Sequence, residues 1–266
     1  MKPFDAREIC ARLGIEAVQL PTGEWIYPWL HPNVRFCFFL YADVLGFSSA
    51  LSGNFAKAGA MIHSMQKIAR KLCTVRPTGG GRTARFGYQL ALDTIIFYLK
   101  NASNVRLAHA YADFLQRCGT LYWMALSKHE IMLRGAISAA RDFVAESEVF
   151  VAPTLLRCYE IEKMQDWAGI GVDADNIALA VGPLVPPDEI VCPNYLVPIK
   201  GDPLGVGYML NPTLRSVRRA SGTKVSVSTV IERLRENVKN EALPDDAKVK
   251  IRNTIKYIEW CAEQSN

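Results

Sequence analysis

The chain has 266 residues, 50% hydrophobic and 21% charged, so it can bury a sizeable core and is not globally disordered. Its formal charge of +5 is mild and scattered, which favours anionic small molecules or nucleotides and argues against a nucleic-acid-binding protein. Seven cysteines without a CxxC pair and four histidines without HxxxH spacing predict reduced thiols and no zinc site. With no signal-peptide order at the start and no uninterrupted apolar span, a cytoplasmic protein without membrane contact is expected.

Residues 1–33 read as a lead-in, with a short amphipathic helix over Asp5–Leu13 stopped at Gly14. Ten residues, VRFCFFLYAD at 34–43, then form a strand apolar enough to be buried on both faces. The strand ends on Asp43, and a carboxylate there is costly unless something uses its charge. Either it serves chemistry, or it helps start the next helix, because Ser48 and Ser49 precede a helical segment. That helix is predicted over 49–73, with Leu51, Phe55, Ala58, Ile62, Met65, Ala69 and Leu72 on its apolar face.

RPTGGGRTAR, residues 76–85, breaks the periodicity. It lacks both the GK[ST] ending and the preceding strand of a phosphate-binding P-loop, so a flexible loop is the favoured reading. FGYQLALDTIIFYL, residues 86–99, is a strand pair carrying a second isolated acid, Asp93. A helix follows over 103–127, its face made by Leu107, Tyr111, Phe114, Cys118 and Leu121. Residues 133–153 read as two strands meeting near Arg141 and Asp142, Thr154–Gln165 as a helix, and 169–173 as a short strand. A Pro-rich passage, 183–203, is irregular and leads to a late hairpin ending at Tyr208–Leu210. Helices over 226–241 and 245–262 close the chain, and their apolar positions are packing faces or a partner surface.

This order predicts an α+β fold, helices packed on a largely antiparallel sheet. If the two acid-bearing strands are neighbours, Asp43 and Asp93 repel at close range and need a cation between them. Two carboxylates suit magnesium or manganese shared with substrate phosphates, the donor set of two-metal phosphoryl transfer.

The phrases YADVLGFS, LALDTIIFY, LRGAIS and APTLLRCYEIEK resemble the class III nucleotide cyclase catalytic domain, a ferredoxin-like palm. More narrowly they resemble the bacterial Pycsar antiphage pyrimidine cyclases. Palm polymerases and diguanylate cyclases share the two-acid pattern, but the RGAIS strand followed by a Tyr-x-x-Glu helix narrows the choice. The similarity covers residues 34–210 and leaves 211–266 as a C-terminal helical extension.

The resemblance implies that Asp43 and Asp93 bind two divalent ions, Mn2+ or Mg2+, with the Val44 carbonyl as a further ligand. It also implies that the amides of Leu45, Gly46, Phe47 and Ser48 cradle the β- and γ-phosphates. Tyr41 shares the Asp43 face of its strand and contacts the nucleotide or packs in the core. Gln89 stands where purine cyclases carry lysine, and Val149 stands near their base-reading acid. Leu156 and Glu160 fall where the family's transition-state asparagine and arginine belong, which leaves Arg157 as the substitute or as a surface ion-pair former. The implied activity is conversion of UTP, with CTP as nearest competitor, to the 3′,5′-cyclic nucleotide and pyrophosphate. The implied assembly is a homodimer with composite sites, whose product acts on a separately encoded effector in antiphage defence. The alternatives are an inactive nucleotide sensor of the same fold or a cyclase acting on a purine nucleotide.

Overall fold

A computed structural model describes residues 18–19, 25–26, 35–74, 84–103, 107–141, 143–146, 149–181, 190–193, 195, 198, 200, 208–241 and 243–264. The helix expected over Asp5–Leu13, the glycine-rich segment 76–83 and most of the Pro-rich passage lie outside these residues.

After a two-residue pairing of β1 (Val18–Gln19) with β2 (Trp25–Ile26), the chain enters its central strand, β3 (Arg35–Val44). Side chains alternate along β3 because the strand repeat is two residues. Phe36, Phe38, Leu40, Ala42 and Val44 join one buried cluster, while Cys37 and Phe39 join another on the opposite face. This two-sided burial was the expectation for so apolar a run.

Helices α1 (Phe47–Gly53) and α2 (Phe55–Cys73) follow. They replace the single helix expected over 49–73. Asn54, at φ −152°, breaks the run, and its side chain accepts the Lys57 amide at 3.0 Å to cap α2. The break takes Leu51 and Phe55 off the buried face: they are 44% and 76% exposed. Strands β4 (Arg85–Ala91) and β5 (Thr94–Ser103) form an antiparallel hairpin, and α3 (Leu107–His129) leads to β6 (Leu133–Ala140).

The seven-stranded sheet runs β10-β11-β9-β6-β3-β5-β4. Here β9 is Ile170–Val172, β10 is Val191–Pro193 and β11 is Tyr208–Leu210. Every pairing is antiparallel except β6 with β9. Its β3-helix-β4-β5-helix-β6 part places the fourth strand beside the first, then the third and second, which is the ferredoxin-like palm arrangement. Helices α2 and α3 cover the Phe38 face, and their apolar stripes bury Met65, Ile68, Tyr111 and Phe114 against it. On the other face Phe39 and Tyr98 pack against Phe150 and against α4 (Leu155–Met164).

Residues 133–153 hold three strands rather than two. β6 belongs to the main sheet, while β7 (Val144–Glu146) and β8 (Val149–Val151) pair only with each other. The sequence pattern shows apolar strands but not which of them has a partner in the sheet. Helices α5 (Ala174–Val181) and α6 (Arg215–Ser221) were also not anticipated. The closing pair, α7 (Val227–Lys239) and α8 (Asp245–Gln264), buries Val230, Leu234, Ile251, Ile255 and Ile258 in the main core. Their apolar positions are therefore packing faces. Among the described residues no helix is long and apolar enough to cross a membrane.

Candidate active site

Antiparallel pairing brings the two isolated acids to one end of the palm. Asp43 lies opposite Thr94 of β5 on one side and Arg134 of β6 on the other. Asp93 lies in the two-residue turn between β4 and β5 rather than within a strand, and its carbonyl accepts the Val44 amide at 3.0 Å. Leu92, the other turn residue, has φ +55° and is 79% exposed, a strained place for a bulky side chain. The turn and the end of β3 thus share backbone as well as charge.

The Asp43 and Asp93 carboxyl groups are neighbours, close enough for the charge of Asp93 to act on Asp43. Burial, then the charges of Asp93 and Glu162, push the Asp43 carboxyl up to about 7 against the opposing charge of Arg134. Asp43 does not start the next helix. The N-cap of α1 is Gly46, in the left-handed conformation at φ +79°, with no side-chain cap. The helix-start explanation of the carboxylate is thereby removed.

Two further charged residues complete the cluster. Arg134 is 7% exposed and Glu162, on the last turn of α4, is 1% exposed. They form a tight ion pair, and the same guanidinium stands 3.9 Å from Asp43. Its Nη1 donates to the Gln165 backbone carbonyl at 3.2 Å, and the Gln165 side-chain amide donates to the Gly135 carbonyl at 2.8 Å. Gly135 allows this closeness: a Cβ there would lie 2.1 Å from the Tyr41 carbonyl oxygen. The cation that the acid pair demanded is in part supplied by the protein itself.

Sequence reasoning missed both residues as participants, although each lay in a quoted phrase, Arg134 in LRGAIS and Glu162 in YEIEK. For Arg134 the available signal resembled the one that exposed Asp43, a lone charge in an apolar strand, whereas Glu162 is flanked by Glu160 and Lys163 and carried no such mark. For Arg134 that signal was strong, since every other residue of β6 is apolar or small.

The remaining expected residues divide. Tyr41 lies on the Asp43 face, half-buried, with its ring 6.2 Å from Tyr159 and edge-on to it. Gln89 shares that face through the register Gln89–Ile96–Tyr41, and its side-chain nitrogen is buried without a hydrogen-bond partner. Gly46, Phe47 and Ser48 open α1, where first-turn amides have no intrahelical acceptor. Leu45 departs from the expected cradle, because its amide already donates to the Met132 carbonyl at 2.9 Å. The Val44 amide is likewise used, and its side chain is buried in the core. Arg157 is not gathered with the acids: it pairs with Glu160 at 3.8 Å and faces Asp173, near the opposite end of α4.

Two adjacent carboxylates suit a hard divalent cation such as Mg2+ or Mn2+, which takes one or two protein carboxylates plus substrate phosphates. Among the described residues no three His, Cys, Asp or Glu side chains converge into a fuller ligand set. Glu162 is turned onto Arg134 instead. Further ligands for such an ion would have to be backbone, water or substrate.

No protein-family model matches the chain, and no curated protein matches it. Among solved structures it is similar to a class III adenylyl cyclase-like ATP-binding protein from Pseudomonas aeruginosa, at 15% identity and a TM-score of 0.39. That match covers 78% of this chain and 44% of the other, so the chain spans less than half of that protein's length. It is also similar to the adenylyl cyclase CyaB from P. aeruginosa, at 11% identity and a TM-score of 0.43, covering 70% of this chain and 99% of that one. At these values the likenesses are distant, and the functional reading rests on the palm sheet and the acid cluster at its tip.

Proposed function

We propose that the chain is a nucleotide cyclase of the class III type, acting on UTP to yield 3′,5′-cyclic UMP and pyrophosphate. The observation that carries this reading is the meeting of Asp43 and Asp93 at the tip of a palm sheet, where each feels the other's charge. In the reaction the ribose 3′-oxygen bonds to the α-phosphorus, and the bond from that phosphorus to the β-phosphate bridging oxygen breaks. Pyrophosphate leaves, and the 3′-hydroxyl proton passes to water or to the substrate. Asp43 and Asp93 would hold divalent ions, which would supply the charge stabilisation that such a transfer needs. Gly46, Phe47 and Ser48 offer amides to the phosphates, and Tyr41 and Gln89 border the base.

The preference for a pyrimidine is supported by Gln89. Its unpartnered nitrogen is a donor aimed at nothing in the protein, whereas a lysine reading a purine is absent there. Arg157, remote from the acids of its own chain, fits a homodimer in which it serves the second copy's site. The product then reaches a separately encoded effector, as the Pycsar resemblance implies.

A second reading, a nucleotide sensor without turnover, draws on Arg134, because an internal cation already offsets the acids. Incubation with Mn2+ and each nucleoside triphosphate in turn separates the two. Pyrophosphate release with UTP, and cyclic UMP by mass spectrometry, supports the cyclase; saturable binding without release establishes the sensor. Equal conversion of ATP and UTP would defeat the pyrimidine assignment.

A further inference from the structure

Besides its ion pair with Glu162, Arg134 is held by one short link, residues 165–169, between α4 and β9. At one end the Gln165 backbone carbonyl accepts from Arg134 and the Gln165 side-chain amide donates to the Gly135 carbonyl. At the other end the Gly169 carbonyl accepts the Gly135 amide at 3.0 Å. The link therefore grips both backbone groups of Gly135, the residue next to the one that reaches the acids.

The middle of the link is gripped in turn by α8. The Asn253 side chain donates to the Asp166 carbonyl at 2.9 Å, and the Ala168 amide donates to the Thr254 hydroxyl at 2.8 Å. That hydroxyl spends its own proton on the Lys250 carbonyl at 2.8 Å, so both of its roles are committed. Thr254 is fully buried, and so is Trp167, whose ring meets Tyr257 of α8 edge-on at 4.2 Å. A helix more than eighty residues further along the chain thus sets the backbone that orients the guanidinium.

We infer that Asn253 and Thr254 are positioning residues for Arg134: α8 fixes the link, the link fixes the guanidinium, and the guanidinium sets the charge balance of Asp43, Asp93 and Glu162. The inference rests on reading that cluster as the nucleotide-processing site. It gives the C-terminal helices a role in the chemistry, beyond covering the core.

The test uses the full chain with Thr254→Val, Thr254→Ser as the conservative variant, and Asn253→Ala. The first readout is the 15N side-chain signal of Arg134, assigned by its loss in Arg134→Lys. The signal is expected to shift towards that of a free arginine in Thr254→Val and to hold its wild-type position in Thr254→Ser. The second readout is Mn2+ affinity without nucleotide, from the free-ion paramagnetic resonance signal. Releasing a cation 3.9 Å from Asp43 should tighten Mn2+ binding by about threefold or more. General loosening of the fold would weaken it instead.

Where Thr254→Val does not fold, Asn253→Ala carries both readouts. An unmoved Arg134 signal in a folded variant would overturn the inference, as would weaker Mn2+ binding. A wild-type protein that binds no Mn2+, with an Arg134 signal that still moves in the variant, would defeat the proposed cyclase and leave the positioning intact.

Discussion

Replacing Asp43 by asparagine tests the electrostatics of the acid cluster without reference to turnover. The carboxyl is raised to about 7, chiefly by burial and then by Asp93 and Glu162. Between about pH 4 and 7 the folded state therefore keeps a proton that the unfolded chain releases, since the unperturbed value is about 3.9. Protons bound in excess by the folded state make its stability fall as pH rises through that window, and the penalty is complete above the folded pKa. A shift of about three pKa units is worth at most about 4 kcal/mol. With 21% of the side chain open to solvent, screening reduces the expected figure to about 2 kcal/mol. Asp43→Asn removes the penalty, so in chelator it should be more stable than wild type by about 2 kcal/mol at pH 8 and near equal to it at pH 4. Urea denaturation at the two pH values measures the difference directly. Added Mn2+ should then raise the stability of wild type and not of the variant, because only a folded state with both acids binds the ion. A variant destabilised equally at both pH values would refute this account and make Asp43 a packing residue.

Three more outcomes are expected. Arg134→Met leaves Glu162, 1% exposed, without its partner and should cost about 3–5 kcal/mol at pH 8 in urea denaturation. The double change with Glu162→Met should recover much of that loss, and a single-variant loss below about 1 kcal/mol would show the pair to be idle. Gly135→Ala drives a Cβ into the Tyr41 carbonyl and the Ala42 backbone, so β6 must part from β3. The expected result is a loss of about 3 kcal/mol or more, or failure to fold, and an unchanged thermal melt would contradict the close approach. Gln89→Ala removes a buried nitrogen that has no partner and should change stability by less than about 1 kcal/mol. It should also relax the choice of UTP over ATP in a mass-spectrometric competition; an unaltered profile would return Gln89 to a packing role.

Much of the architecture was legible because it rests on local pattern. The ten-residue β3, the hairpin around Asp93, the α3 face from Leu107 to Leu121 and the closing helices all announce themselves by period and by apolar content. Local pattern also misled where two readings share a period. Leu51 and Phe55 continue the α2 stripe, yet a capping asparagine one residue earlier ends that continuity. The strand after Arg141 looked like a partner for β6, but an apolar strand carries no mark of which sheet it will join.

From the sequence alone came the two aspartates, because an acid inside an apolar run is conspicuous without knowledge of its neighbours. Tertiary structure decided what stands around them. Arg134 lies 91 positions from Asp43 and meets it only through the register of β6 on β3, and Glu162 arrives only through the docking of α4. Arg157 was separated from the acids by the same docking, because the helix presents its last turn to them. The hold of Asn253 and Thr254 on the link behind Arg134 depends on where α8 packs. Period and composition along one segment are set by that segment's own burial, whereas a charge cluster is a sum over segments whose registers are chosen by packing the whole core.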